Sequence, residues 1–156
     1  MKIQIATDDL LVSEVELIYR SKVKPSNRVT IRSPKDAYDI FLKLWDVNKI
    51  DFVEEFKVMF LNKANKVLGI YHISSGGLTS TIADIRIVFA AALKINACAI
   101  IVCHNHPSGG VKPSMADSQL TKNFTLAGSF LQIILFDHLI ITTEGYFSFA
   151  DEGALY

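Results

Sequence analysis

The sequence predicts an α/β domain in which a mixed β-sheet is flanked by helices. Three observations carry that expectation. Ala97 to Cys103 is an apolar run with no polar face, which suits a strand covered on both sides. The segments around 37–44 and 85–93 repeat apolar residues at the helical period. Two strand-like stretches, 56–62 and 67–73, are separated by a short polar turn and read as a hairpin.

In chain order, residues 1–32 form a polar lead-in whose alternating Val15, Leu17 and Tyr19 are compatible with an edge strand. The main domain is expected over 33–156. Ser33-Pro34-Lys35-Asp36 is a helix start, with a serine cap, proline in the first turn and an acid three residues after the cap. Ala37, Ile40, Phe41 and Leu44 carry that helix to about Trp45. Phe56 to Asn62 and Val67 to Ile73 are the arms of the hairpin, with the turn at Asn62 to Asn65. From about Ile82 to Asn96, Ile85, Val88, Phe89, Ala92 and Leu93 mark a second helix. The buried strand follows, then a Pro/Gly loop, then a helix from Ser114 to about Leu131. Ile133 to Leu135 and Leu139 to Thr142 read as two further strands, with a turn at Glu144-Gly145 before Tyr146 to Phe149.

The composition excludes several classes of protein. With 50% hydrophobic and 21% charged residues the 156-residue chain is a globular mixture, large enough for one domain with a real core. Sixteen Lys plus Arg balance sixteen Asp plus Glu, so there is no basic surplus of the kind that grips phosphate backbones. The N-terminus has no signal-peptide core and no apolar run approaches ~20 residues, so a cytoplasmic setting without membrane is expected. Cys98 and Cys103 lack the spacing of a redox or zinc pair and are expected to be free, buried structural thiols.

The informative stretch is His104-Asn105-His106-Pro107-Ser108-Gly109-Gly110-Val111-Lys112-Pro113-Ser114-Met115-Ala116-Asp117. It follows the end of the buried strand, where open α/β sheets tend to place ligand sites. Residues two apart in an extended chain point to one side, so His104 and His106 can aim at one point. Pro107 and the two glycines turn the chain back, and Ser114 and Asp117 fall on the first turn of the next helix. Two imidazoles and a carboxylate are three suitable ligands for a zinc ion, and three protein ligands mark an open, catalytic site. Zinc would lower the pKa of water there to about 7. The plainer reading remains open at this point: solvated loop histidines, and an Asp that only complements a helix dipole.

These residues resemble the signature of the JAMM (MPN+) metalloproteases, His-x-His-Pro, a loop, then Ser-x-x-Asp. They are closer still to its RadC-like bacterial branch. His104-Asn105-His106-Pro107-Ser108-Gly109, Lys112-Pro113-Ser114, Asp137-His138-Leu139-Ile140-Ile141 and Gly145 to Gly153 carry the resemblance, which covers about residues 33–156. It implies a JAB/MPN (cytidine-deaminase-like) layered fold and one zinc ion on His104, His106 and Asp117. It further implies hydrolysis of a peptide, isopeptide or other amide-type bond. No helix-hairpin-helix-like region of full-length RadC proteins fits the front of this sequence, so DNA contacts inferred from such a region do not transfer. Near Ser75-Gly76 the family's threonine is replaced by Gly77, and its proline before Arg86 by Ile85.

The family also implies a glutamate general base on an upstream strand. Glu54 and Glu55 both precede Phe56, and the RadC-like pattern of Glu, any residue, Phe selects Glu54. Strand alternation puts Glu54 on the side of Phe56, Val58 and Phe60. Ser114, a helix cap on its own chemistry, acquires by resemblance a hydrogen bond to the oxyanion. His138 lies in an apolar run, where a satisfied core histidine and a functional one are both open; His72 carries less signal still. The rival functions are a DNA-repair-associated factor, a zinc deaminase and a non-catalytic interaction module. Contiguous His-Asn-His cannot play the dispersed parts of an HNH nuclease. The deaminase signature of His-x-Glu with Pro-Cys-x-x-Cys is missing.

Overall fold

The computed structural model describes residues 18–76 and 83–155. Val15, Leu17, Gly77 and Ile82 lie outside them, so the edge-strand expectation and the replaced threonine stand without a structural counterpart. After a 3-10 turn at Pro25–Asn27, the elements run α1 (Pro34–Leu44), β1 (Glu55–Leu61), β2 (Val67–Ser75), α2 (Ile85–Lys94), β3 (Ala99–Asn105), α3 (Met115–Leu131), β4 (Ile134–Ile141) and β5 (Tyr146–Ser148). The five strands form one mixed sheet in the order β2-β1-β3-β4-β5. β1 is antiparallel to β2 and β3, β3 is parallel to β4, and β5 returns antiparallel to β4.

Helices cover both faces. On one, Ala37, Tyr38 and Phe41 of α1 pack with Met59, Leu61, Ile101, Cys103, Leu139 and Ile141. On the other, Val88, Phe89 and Ala92 of α2 and Phe124 of α3 pack with Phe56, Val58, Phe60, Ile100 and Val102. β1 and β3 are buried along their whole length, as strands clad on both faces must be. α1 starts as its sequence specifies: the Ser33 side chain accepts from the Asp36 backbone N–H, with Pro34 in the first turn. No helix among the described residues is long and apolar enough to cross a membrane.

Three expectations are corrected. The buried strand is displaced two residues, to Ala99–Asn105, so His104 stands inside it rather than past its end. Cys98, just ahead of that strand, is exposed, and only Cys103 is buried. The two strands expected at 133–135 and 139–142 are one continuous strand, β4, from Ile134 to Ile141. Their apparent separation has a physical cause. The β3–β4 register shifts between Ile100 and Ile101, whose partners are Leu135 and Asp137, leaving Phe136 as an extra residue. Such a bulge reverses which side chains face which way. Leu135 therefore packs on the α2/α3 face and Leu139, four residues on, packs on the α1 face. The same reversal turns His138 towards α3, where its ring meets Thr121.

Candidate metal centre

The site sits on the α3 face of the sheet, where β3 ends. Ile100 and Val102 of β3 face α2 and α3, and the two-residue period continues that direction through His104. The ring of His104 stacks parallel to that of Phe56, its partner across the antiparallel pair. His106 follows the strand, and its ring returns to within 4.9 Å of His104. Asp117 arrives from the first turn of α3, held by a capping box. The Ser114 hydroxyl accepts the Asp117 N–H at 3.1 Å, while the Ser114 N–H and hydroxyl both donate to Asp117 Oδ2 at 2.7 Å. With Oδ2 so engaged, Oδ1 faces His104.

The three donors converge. His104 Nε2 is 3.1 Å from His106 Nε2 and 3.2 Å from Asp117 Oδ1, and His106 Nε2 is 3.7 Å from Asp117 Oδ2. Among the described residues these three form the one group of His, Cys, Asp and Glu whose ligand atoms cluster tightly enough for a metal ion. A tetrahedral zinc with bonds of about 2.0–2.1 Å sets its donors roughly 3.3–3.4 Å apart. The His104–His106 and His104–Asp117 spacings of 3.1 and 3.2 Å lie just inside that value. Burial pushes the Asp117 carboxyl up, but the hydrogen bonds and charge of His104 and the bonds from Ser114 outweigh it and hold it well below the usual carboxylate range.

The chemistry of the donors fits a cation. His106 Nδ1 is 2.8 Å from the Gly110 carbonyl oxygen, which can only accept, so the His106 proton sits on Nδ1 and Nε2 presents a lone pair. Nδ1 of His104 is also occupied, by His138 Nε2 at 2.9 Å. Nitrogen lone pairs and a carboxylate oxygen meeting at about 3 Å repel one another unless positive charge lies between them.

The two glutamates part company. Glu55 is buried on the α1 face, 3.3 Å from Lys57 Nζ and 3.8 Å from Lys49 Nζ, and it accepts the Ser75 hydroxyl. Glu54, half-buried, precedes β1 by one residue. Glu54 stands two residues ahead of Phe56, whose partner across the sheet is His104, and the next N–H, that of Glu55, is held by the Asn105 side chain. Its carbonyl accepts the Gly76 N–H at 2.9 Å.

Two contributors, Asn105 and Thr121, escape the sequence reading, and a third, His138, is left open by it. Asn105, fully buried between the two histidines, accepts the Glu55 N–H and donates to the Ile50 and Val53 carbonyls. His138 and Thr121 lie behind His104, with the His138 ring stacked on Phe149. Only their separation along the chain hid this arrangement. His72 lies elsewhere, on β2, with its Nε2 3.0 Å from the Ser75 hydroxyl.

Comparison with known proteins gives a family match over most of the chain. Residues 31–154 match the family model described as a RadC-like JAB domain. Among curated relatives called UPF0758 proteins, that of Flavobacterium johnsoniae is 42% identical over 144 residues, covering 92% of this chain and 62% of the relative. That of Porphyromonas gingivalis is 48% identical over 103 residues (65% and 45%), and that of Salinibacter ruber 38% over 136 residues (86% and 57%). The chain therefore spans about half to three-fifths of the length of these relatives.

Proposed function

The chain belongs to the RadC-like JAB domain family, and from that premise we propose that it is a zinc-dependent hydrolase of an amide-type bond. In this reading His104, His106 and Asp117 hold one ion and Glu54 is the general base. The observation that carries it is the convergence of three donor atoms whose alternative hydrogen-bonding positions are already occupied. Zinc held there supplies Lewis acidity, polarising a carbonyl and making water a usable nucleophile near neutral pH.

The chain's own residues do the rest. Glu54 takes the proton from the attacking water and returns it to the leaving amine, the part of a carboxylate general base. Asp117 stays ionised because the surrounding hydrogen bonds favour its charged form. Ser114 has one hydroxyl proton, and the geometry commits it to Asp117 Oδ2. Its first task is therefore to aim the carboxylate. A hydrogen bond to the oxyanion of the tetrahedral intermediate requires that hydroxyl to change partner.

The test is metal analysis of the purified chain, followed by hydrolysis of a peptide and isopeptide panel by wild type and Glu54→Gln. The variant should keep stoichiometric zinc and lose turnover. Loss of zinc in Glu54→Gln would make Glu54 a ligand instead. A wild-type protein that binds no zinc, and that neither gains stability nor hydrolyses anything when zinc is added, would end the proposal.

A further inference from the structure

Behind the three ligands runs a second line of contacts. Thr121 Oγ1 lies 2.8 Å from the Asp117 carbonyl oxygen and 2.7 Å from His138 Nδ1; His138 Nε2 lies 2.9 Å from His104 Nδ1. Each of these short contacts needs one proton, and the chain of donors can be read from its fixed end. A carbonyl oxygen carries no proton, so Thr121 donates to Asp117. Its hydroxyl has no second proton, so it accepts one from His138 Nδ1. If His138 also carried a proton on Nε2 it would be an imidazolium. It is fully buried, beside a second imidazole and stacked on the Phe149 ring, and among the described residues the hydrogen-bond partners of its ring are Thr121 and His104, neither of them a carboxylate. His138 is therefore neutral, its Nε2 accepts, and the proton between the two rings belongs to His104 Nδ1.

We propose that Thr121 and His138 are positioning residues of the metal centre, fixing His104 in the tautomer that bears its proton on Nδ1 and presents the Nε2 lone pair to the ion. The inference rests on the metal-centre reading and extends it. Ligating histidines generally need their other nitrogen engaged to set ring orientation and basicity. For His106 a nearby backbone carbonyl does this. For His104, inside a strand whose neighbours' carbonyls are committed to the sheet, a side chain must do it. The β4 bulge that turns His138 towards α3 makes that side chain available. The start of the line is also coupled to the third ligand. Thr121 takes its bearing from the carbonyl of Asp117, so one turn of α3 sets both a ligand and the tautomer of its neighbour.

Two measurements on the full chain test the proposal. Long-range proton–nitrogen NMR of wild type at about pH 8, above the ordinary histidine range, should show His104 and His138 both protonated on Nδ1, and His138 bare on Nε2, with and without zinc. His104 bare on Nδ1, or His138 protonated on Nε2, in the metal-free protein would overturn the idea, and this spectrum needs no substitution to fold. Chelator competition for zinc should then show affinity reduced about 10–100-fold in Thr121→Val and His138→Phe, and restored in Thr121→Ser. Folded Thr121→Val and His138→Phe proteins with wild-type zinc affinity would sink it while leaving the metal centre intact. Wild type that fails to bind zinc would instead remove the metal-centre reading, and the positioning role with it.

Discussion

The Asn105 side-chain oxygen accepts the backbone N–H of Glu55 at 2.7 Å, while its amide donates to the Val53 and Ile50 carbonyls at 2.9 and 2.6 Å. Val53 and Glu55 flank Glu54. One buried side chain on β3, between the two histidines, thus grips the chain on both sides of the proposed base. The backbone around Glu54 is thereby tied to the strand that carries His104.

Replacing Asn105 with Leu, close in volume, leaves one N–H and two carbonyls without that partner. Each lost bond is worth roughly 0.5–1.5 kcal/mol, more where a buried group stays unsatisfied. The expected loss of stability is about 2–4 kcal/mol in urea titration. Turnover should fall further than zinc content, because the base loses its anchor while the ligands keep theirs. Wild-type stability in Asn105→Leu would show that the grip is not needed.

Ser114 supplies a second prediction. Its side chain caps α3 and also restrains Asp117 Oδ2. Ser114→Ala should cost about 0.5–2 kcal/mol, the usual range for a lost cap, and should weaken zinc binding by loosening a ligand. Ser114→Thr keeps an acceptor and a donor and should lose little of either. Thermal melts with and without zinc separate the two effects. An alanine variant with full stability but abolished turnover would instead assign the hydroxyl mainly to the oxyanion.

What the sequence disclosed, and what it did not, follows the range of the interactions. α1 was legible because Ser33, Pro34 and Asp36 specify its start within four residues. The ligand set was legible because strand alternation, a tight turn and a helix cap compress His104, His106 and Asp117 into fourteen positions. β4 was read as two strands because the bulge at Phe136 interrupts the alternation on which strand reading depends. The Asn105 grip joins residues 50 apart, and the His104–His138 contact spans 34. No local pattern marks either of them, since each exists only once the sheet has formed.

The exposure of Cys98 is a correction with a direct chemical check. Cys103 is buried on the α1 face, and burial pushes its thiol well above the ordinary range, so it offers little thiolate. Cys98 is exposed. Titration of the native chain with a thiol-specific reagent near neutral pH should modify one cysteine quickly, and peptide mapping should place the label on Cys98. Cys103 should react only after denaturation. Labelling of Cys103 in the native protein at a comparable rate would mean that the sheet opens readily at β3, next to His104.

The most discriminating stability measurement concerns zinc itself. A ligand that binds only the folded state stabilises it by RT ln(1 + [L]/Kd), about 2.7 kcal/mol at a hundredfold excess over Kd. For a domain of this size, 1 kcal/mol moves the midpoint by roughly 2–4 °C. Saturating zinc should therefore raise Tm by about 5–10 °C, and a chelator should reverse it. The informative variant is His106→Ala. Asp117 helps cap α3, so its removal lowers stability whether or not a metal binds. His106 is half-buried in a loop, and its polar partners are a backbone carbonyl and the other two ligands. With chelator present, His106→Ala should melt close to wild type, and adding zinc should move it little. Glu54→Gln should keep the full shift. If His106→Ala responds to zinc as wild type does, the ion is bound somewhere else, and the convergence of the three donors has another explanation.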